Sequence, residues 1–439
     1  MKKSFNSNAA GIDISSREHV VAVPEDRDNQ SVKKYSTFTA DLRRLILWLK
    51  KCKIDTVAME STGVYWYHLY TMLLDTDIEV YLVNARHVKK VPGRKSDIND
   101  AQWLQQLHSY GLLNACFQPD NLTRALRTVT RQRKQIVQDM STQTLRMHKA
   151  LEQMNIKLHN VLSDITGKTG RAMIKAILEG QRDSEKLYKN VDPNVKASKE
   201  DILKSLEGNW REEQLFTLKI AYDQLLFLES QLGQCDQEAE KIISRFTTKV
   251  NKKVKPKPKK SKQPKFNVEQ YLVNIYGVDV TNIPGIKATA GLTILSETSP
   301  HLQEKFPTDK QFLSWTNTVP DNDITGGKIV KSRVKKKKNK TGQAFREAAN
   351  TLWRSQCPLG DMLRKRKAKK GAKSAIVYMA RKLASIYYKM VTEKVEYDES
   401  QIVKNRKAYL ENKLKYLTLI SEKIKLQLTE NQVLAPVVI

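Results

Sequence analysis

The chain has 439 residues, 40% of them hydrophobic, which is more than a single core usually organises, so two or three modules are expected. Lys and Arg number 77 against 47 Asp and Glu, and the resulting formal charge of +30 points to a polyanionic partner, nucleic acid first. A merely solvated basic protein and an acidic membrane surface are the alternatives. No stretch has the length of a transmembrane helix, and MKKSFNSNAAGIDIS lacks the apolar core of a signal peptide, so the expected protein is soluble, cytoplasmic and without a membrane partner. The four cysteines, Cys52, Cys116, Cys235 and Cys357, are too dispersed to signal a zinc site or a disulfide framework.

Up to about Leu113, strand-like and helix-like patterns alternate. AGIDISSREHVVAVP reads as two strands around a turn, KKYSTFT as a third, LRRLILWLKKC as a helix, DTVAMES as a buried strand and IEVYLVNA as another. A helix over VYWYHLYTMLL and one from Asp97 onward complete an α/β module. From Leu122 the period becomes helical, with Leu126, Val129, Ile136, Met140 and Met147 at steps of three, four or seven. After a break near Thr166–Gly170, a second such run extends from Leu215 to Ile242, and the two are expected to pair as a helical hairpin or coiled coil.

The tract TTKVNKKVKPKPKKSKQPKFN, Thr247 to Asn267, has almost nothing apolar to bury and reads as a disordered linker. NIPGIKATAGLTILSET has the look of a helix-hairpin-helix element, with a plain packing corner as an equal reading. Next come DNDITGGK, the basic loop VKSRVKKKKNK, two further helices, and a last helix over roughly Asn405 to Leu428.

Four acids stand out. Asp97 and Asp100 lie one turn apart at a helix start, where capping and dipole compensation explain them without chemistry. Asp13 and Glu60, however, each end an apolar strand segment, and an acid there is costly unless paired or bound to metal. If the sheet gathers these tips near the helix start, the cluster requires divalent cations, and oxygen ligands without His or Cys suit Mg2+ or Mn2+. Two such ions stabilise the attacking and leaving oxygens of a phosphodiester, while Arg86, Lys89, Lys90, Arg94 and Lys95 hold the nucleic-acid backbone. The basic loop adds Lys328, Lys331, Arg333 and Lys335 as expected backbone contacts.

At these residues the sequence resembles a family. GIDIS, AMESTGVYW, LVNARHVKKVPGRKSDINDAQWLQQLHSYGLL, SDITGKTGRAM, IPGI and VPDNDITGGK follow the order seen in DEDD transposases of the insertion-sequence one-ten family, relatives of the Piv-type DNA invertase. The resemblance covers nearly the whole chain except the first residues, the Lys/Pro tract and the final helix. It implies a RuvC-like RNase H fold over 1–115, a coiled coil over 116–246, a linker over 247–268, a mainly helical C-terminal transposase domain over 269–400 that completes the active site, and a closing helix and tail over 401–439. It also implies that Asp13, Glu60, Asp97 and Asp100 bind magnesium, that a structured non-coding bridge RNA pairs with donor and target DNA, and that the protein works as a dimer or tetramer. The family's serine nucleophile follows the PDN segment, and Thr325 stands in its place here. Its hydroxyl is a nucleophile in kind, although its methyl crowds an in-line approach. LSWTNTVPDN also lacks the Gly-Leu that members carry before the Pro.

Overall fold

Strand β1 (Ala9–Ile14) is the hub of a five-stranded sheet with β2 (Glu18–Ala22), β3 (Val32–Ser36), β4 (Thr56–Glu60) and β5 (Glu79–Val83), in the order β3-β2-β1-β4-β5. β1, β2 and β3 pair antiparallel, whereas β1, β4 and β5 run parallel. The computed structural model describes residues 5–84, 97–246, 252–255, 262–334 and 339–433, with backbone alone at 97–99, 404–406, 408–409, 413 and 429–433. The chain divides into two units, Met1–Gln118 and Pro119–Ile439.

In the first unit the alternation of the strands decides which helix covers which face. Ile12, Val57, Met59 and Leu82 point to one side, where they pack with α1 (Thr39–Lys51) and α2 (Trp66–Leu74). Leu42, Leu45, Ile46 and Leu49 recur at helical spacing and bury the inner stripe of α1. Ala58 and Val83 point to the other side, where α3 (Asp97–Ser109) supplies Leu104 and Leu107.

The second unit is built on two long helices, α4 (Asn121–Gln153) and α9 (Glu212–Ile243), with four shorter ones between them: α5 (Leu158–Val161), α6 (Lys168–Leu178), α7 (Ser184–Tyr188) and α8 (Lys199–Ser205). The expected break is therefore folded, and Ile174, Leu187 and Ile202 join the core that α4 and α9 share. Arg133 meets Asp236 at 2.6 Å near one end of the pair, whereas Ala150 and Ala221 line a common cavity near the other, so α4 and α9 run antiparallel. The Asp120 side chain caps α4 by accepting from the Thr123 N–H at 2.8 Å.

Downstream lie α10 (Val268–Tyr276), α11 (Ala288–Thr298), α12 (Leu302–Lys305), α13 (Asp309–Trp315), strands β6 (Asp321–Thr325) and β7 (Lys328–Arg333), α14 (Lys340–Thr351), α15 (Pro358–Glu393) and α16 (Glu399–Val433). Buried aromatics knit α10, α13, α14 and α15 together: Tyr387 donates its hydroxyl to Tyr276 at 2.9 Å, and Phe312 and Phe345 pack nearby. Arg131 clasps Glu297 with two bonds of 2.8 Å, joining α4 to α11.

The structure corrects some expectations and settles the open reading of the IPGI turn. The Lys/Pro tract is not solvated to its end: the Lys262 carbonyl accepts from Arg133 at 3.0 Å, the Lys265 N–H donates to Asp236 at 3.1 Å, and Phe266 is buried, because the Arg133–Asp236 pair has polar valences left to satisfy. DNDIT and KIVKSR form a β-hairpin, since Gly326 and Gly327 between them both have positive φ, 57° and 75°, as a two-residue turn requires. The IPGI turn is a packing corner, as a Cβ at Gly285 would stand 2.6 Å from the Ala348 carbonyl oxygen. The last helix is longer than expected, and Leu410, Leu414 and Leu417 on it are exposed.

Removing one partner of a buried ion pair leaves the other charge uncompensated. Asp236→Ala should therefore destabilise the second unit by about 3–5 kcal/mol. The loss of the exposed Lys219–Asp223 pair through Asp223→Ala should stay within about 0.5 kcal/mol. Chemical denaturation of the two variants measures the contrast.

Candidate active site

The register of β1 on β4 pairs Gly11 with Ala58 and Ile12 with Met59. One step further along each strand stand Asp13 and Glu60, which therefore lie side by side at the carboxyl end of two parallel neighbours. By alternation both share the face of Gly11 and Ala58, the face α3 covers. Each is partly buried, and the Thr62 hydroxyl donates to Glu60 at 3.1 Å.

Two contacts set the direction of α3. Near its end, His108 Nε2 lies 2.8 Å from the hydroxyl of Thr56, the first residue of β4, with the imidazole 4.6 Å from the Tyr81 ring. Near its middle, the helix backbone rests on Gly11, where an added Cβ would overlap the Ala101 carbonyl oxygen and the Gln105 nitrogen. The helix thus runs against β1 and β4, and its amino end arrives where those strands finish. The lengths agree: from Gly11 to Asp13 is roughly 6–7 Å of strand, and from Ala101 back to Asp97 is about 6 Å of helix. Asp97 opens α3 and partly buried Asp100 lies one turn along it, so all four acids are placed toward one edge of the sheet.

At this edge, oxygen donors without His or Cys match hard divalent cations. Among the described residues, no three His, Cys, Asp or Glu side chains are close enough to hold an ion. The Asp97 side chain is outside those described, as are Arg86, Lys89, Lys90, Arg94 and Lys95, the cations expected beside the acids.

In the second unit Thr325 ends β6 and pairs with Lys328 across the Gly326–Gly327 turn. Every residue of both hairpin strands is exposed, including Lys328, Lys331 and Arg333, while Lys335 is outside the described residues. Lys331 faces Asp323 at 3.7 Å, and Ile324 and Ile329 pair across the strands in solvent.

Two families match this layout in turn. Residues 10–156 match the DEDD transposases of IS110 elements, and residues 279–361 match the transposase IS116/IS110/IS902 family. The chain belongs to the IS110 family of transposases. The first match contains Asp13, Glu60, Asp97 and Asp100, and the second contains Thr325 and the hairpin. No curated protein matches the chain. Among the described residues of this transposase, no helix is long and apolar enough to cross a membrane.

Sequence reading missed the two residues that aim α3. Gly11 stands in an apolar run with no mark of its close contact, and His108 belongs to a scatter of histidines that look alike until Thr56 is opposite one of them.

Two outcomes follow. Gly11→Ala pushes α3 off the sheet and should cost about 3 kcal/mol in the first unit, read by denaturant midpoint, with strand cleavage reduced alongside. Burial holds His108 down at about 4 from its ordinary 6.5, and burial lowers His19 as well. The unfolded chain takes up those protons first, so their contribution to stability is complete above pH 6.5 and is lost as pH falls toward 4. His108→Gln should flatten part of that slope in denaturation followed from pH 7 to 4, with His19 and His148, which burial also lowers, contributing to the rest.

Proposed function

We propose that this transposase cuts and rejoins DNA by metal-dependent phosphoryl transfer, as a bridge-RNA-guided recombinase working as a dimer or tetramer. The observation that supports the reading is the strand register, in which Asp13 and Glu60 stand side by side at the carboxyl ends of adjacent parallel strands, with α3, which opens on Asp97 and carries Asp100, running its amino end toward them. The strand order, with acids at the ends of β1 and β4, supports a RuvC-like RNase H reading of the first unit.

Asp13, Glu60, Asp97 and Asp100 would hold Mg2+ or Mn2+, which when bound stabilises negative charge on the oxygens of the scissile phosphate. The cations from Arg86 to Lys95 precede α3 in the chain and neutralise the flanking phosphates. On the hairpin, Lys328, Lys331 and Arg333 hold the strand that Thr325 attacks. The Thr325 hydroxyl gives up its proton as its oxygen bonds to phosphorus, and the departing strand oxygen takes a proton as its ester bond breaks. The reverse step, with an incoming strand hydroxyl, releases the protein. RNA pairing selects the sites, in keeping with cations that recognise backbone and carry no base code.

The methyl of Thr325 favours one second reading, a nuclease in which water replaces the threonine. The two separate in a cleavage assay with magnesium and the full chain. Asp13→Asn and Glu60→Gln should each lower strand cleavage by at least about a hundredfold while leaving DNA binding in place. A protein–DNA adduct stable to denaturation, lost in Thr325→Ala, supports the recombinase. Nicking that survives Thr325→Ala assigns the water reaction, and cleavage unaffected by loss of either acid would sink both.

A further inference from the structure

Helix α15 has a charge pattern that the proposed reaction leaves unused. Between Asp361 and Glu393 it carries ten Lys and Arg residues and no Asp or Glu, and seven of the ten fall between Arg364 and Lys373. Like charges one turn apart, such as Lys365 and Lys369 or Arg366 and Lys370, oppose helix formation by roughly 0.2–0.5 kcal/mol a pair. A helix with only a scaffold role relieves that repulsion with acids. The last helix, of similar length, does so with Glu399, Glu411 and Glu422.

The segment is fixed in place by some of these same cations. Leu359 and Leu363 are buried, and Arg364 pairs with Asp361 while donating to the carbonyls of Trp353 and Ser355 at 3.2 and 2.6 Å. The Lys367 ammonium lies 3.4 Å from the centre of the Trp353 ring, and the Arg366 guanidinium lies 5.0 Å from that of Tyr378. With those three engaged by the protein, Lys365, Lys369, Lys370 and Lys373 extend into solvent as an exposed row.

A break in the helix divides the row. Gly371 has φ 77° and ψ 165°, a backbone conformation essentially confined to glycine. No heavy atom lies within 4 Å of where its Cβ would be, so glycine is needed here for the bend and not for close packing. The bend sets Lys373 on a different course from Lys365, Lys369 and Lys370.

We propose that this bent cationic ridge binds the phosphate backbone of nucleic acid through Lys365, Lys369, Lys370 and Lys373. The inference deepens the proposed function and rests on nucleic acid as its substrate class, adding a place on the second unit where the backbone lies. Duplex DNA and structured RNA offer the same phosphates, and the ridge reads no base.

The experiment measures affinity of the full chain, in EDTA so that no strand is cut, for a duplex DNA and for a hairpin RNA of arbitrary sequence, by fluorescence anisotropy over a range of salt. The variant neutralises the ridge, with Lys365→Gln, Lys369→Gln, Lys370→Gln and Lys373→Gln together. A control removes the same charge from the last helix, with Lys407→Gln, Lys415→Gln, Lys423→Gln and Lys425→Gln. Each lost phosphate contact should reduce the slope of log K against log salt by about 0.9 on duplex DNA, so the ridge variant should be shallower by about 3–4 while the control stays near wild type. The ligand that shows the drop is the one the ridge holds. An unchanged slope on both ligands, or an equal drop in ridge and control variants, overturns the proposal. Failure of the proposed reaction is read separately, since Asp13→Asn alters cleavage and leaves these slopes alone.

Discussion

Backbone-to-backbone contact between α3 and β1 is possible because residue 11 has no side chain, and the arrangement of the acids follows from it. A helix seated on larger side chains is held farther from its sheet and can slide along it. Here the Ala101 carbonyl and the Gln105 nitrogen meet the Gly11 backbone directly, which fixes height and offset together. The His108–Thr56 bond then removes the remaining freedom to pivot. Acids that are distant in sequence are brought to one edge by two contacts that involve none of them.

The second unit is held together by polar pairs as well as by apolar packing. Arg133 with Asp236 and Arg131 with Glu297 secure α4 to its neighbours on two sides, and each carboxylate has its oxygens satisfied by hydrogen bonds. Cations used in this way are geometrically committed, Arg133 buried and Arg131 at the surface. Those on the β6–β7 hairpin and on the middle of α15 are exposed. The large positive surplus is thus divided between cations that have partners within the protein and cations that face outward, and the partners, more than burial, tell one group from the other.

Much of the first unit is legible in sequence because β1, β2 and β4 are short apolar runs, buried on both faces, that stop at turn residues or acids. Asp13 and Glu60 are conspicuous for the same reason, as charged residues terminating apolar runs. Asp97 and Asp100 are not, because capping and metal binding both place acids at a helix start and the pattern does not separate them. The pairing of α4 with α9 is readable from apolar steps of three and four, whereas α5, α7 and α8 between them are too short to show a period. The hairpin escapes a reading based on hydrophobic alternation since neither strand faces a core, although the paired glycines do mark its turn. The ordered end of the Lys/Pro tract escapes as well, because its anchor is a buried ion pair supplied by residues far away in the chain.

That anchor has a practical corollary for chain length. The segment leaving α9 begins near Phe246, and the one returning at Lys262 is bonded to Arg133 and held beside Asp236, so both ends of the intervening stretch are tethered to the same pair of helices. Closure entropy grows only logarithmically, about 0.6 kcal/mol for each doubling of a flexible loop. Between the tethers Lys252 pairs with Glu396 and the Val254 N–H donates to Gln270 at 2.9 Å, so the stretch has a third hold, and an insertion that spares those bonds lengthens a closed loop at small entropic cost.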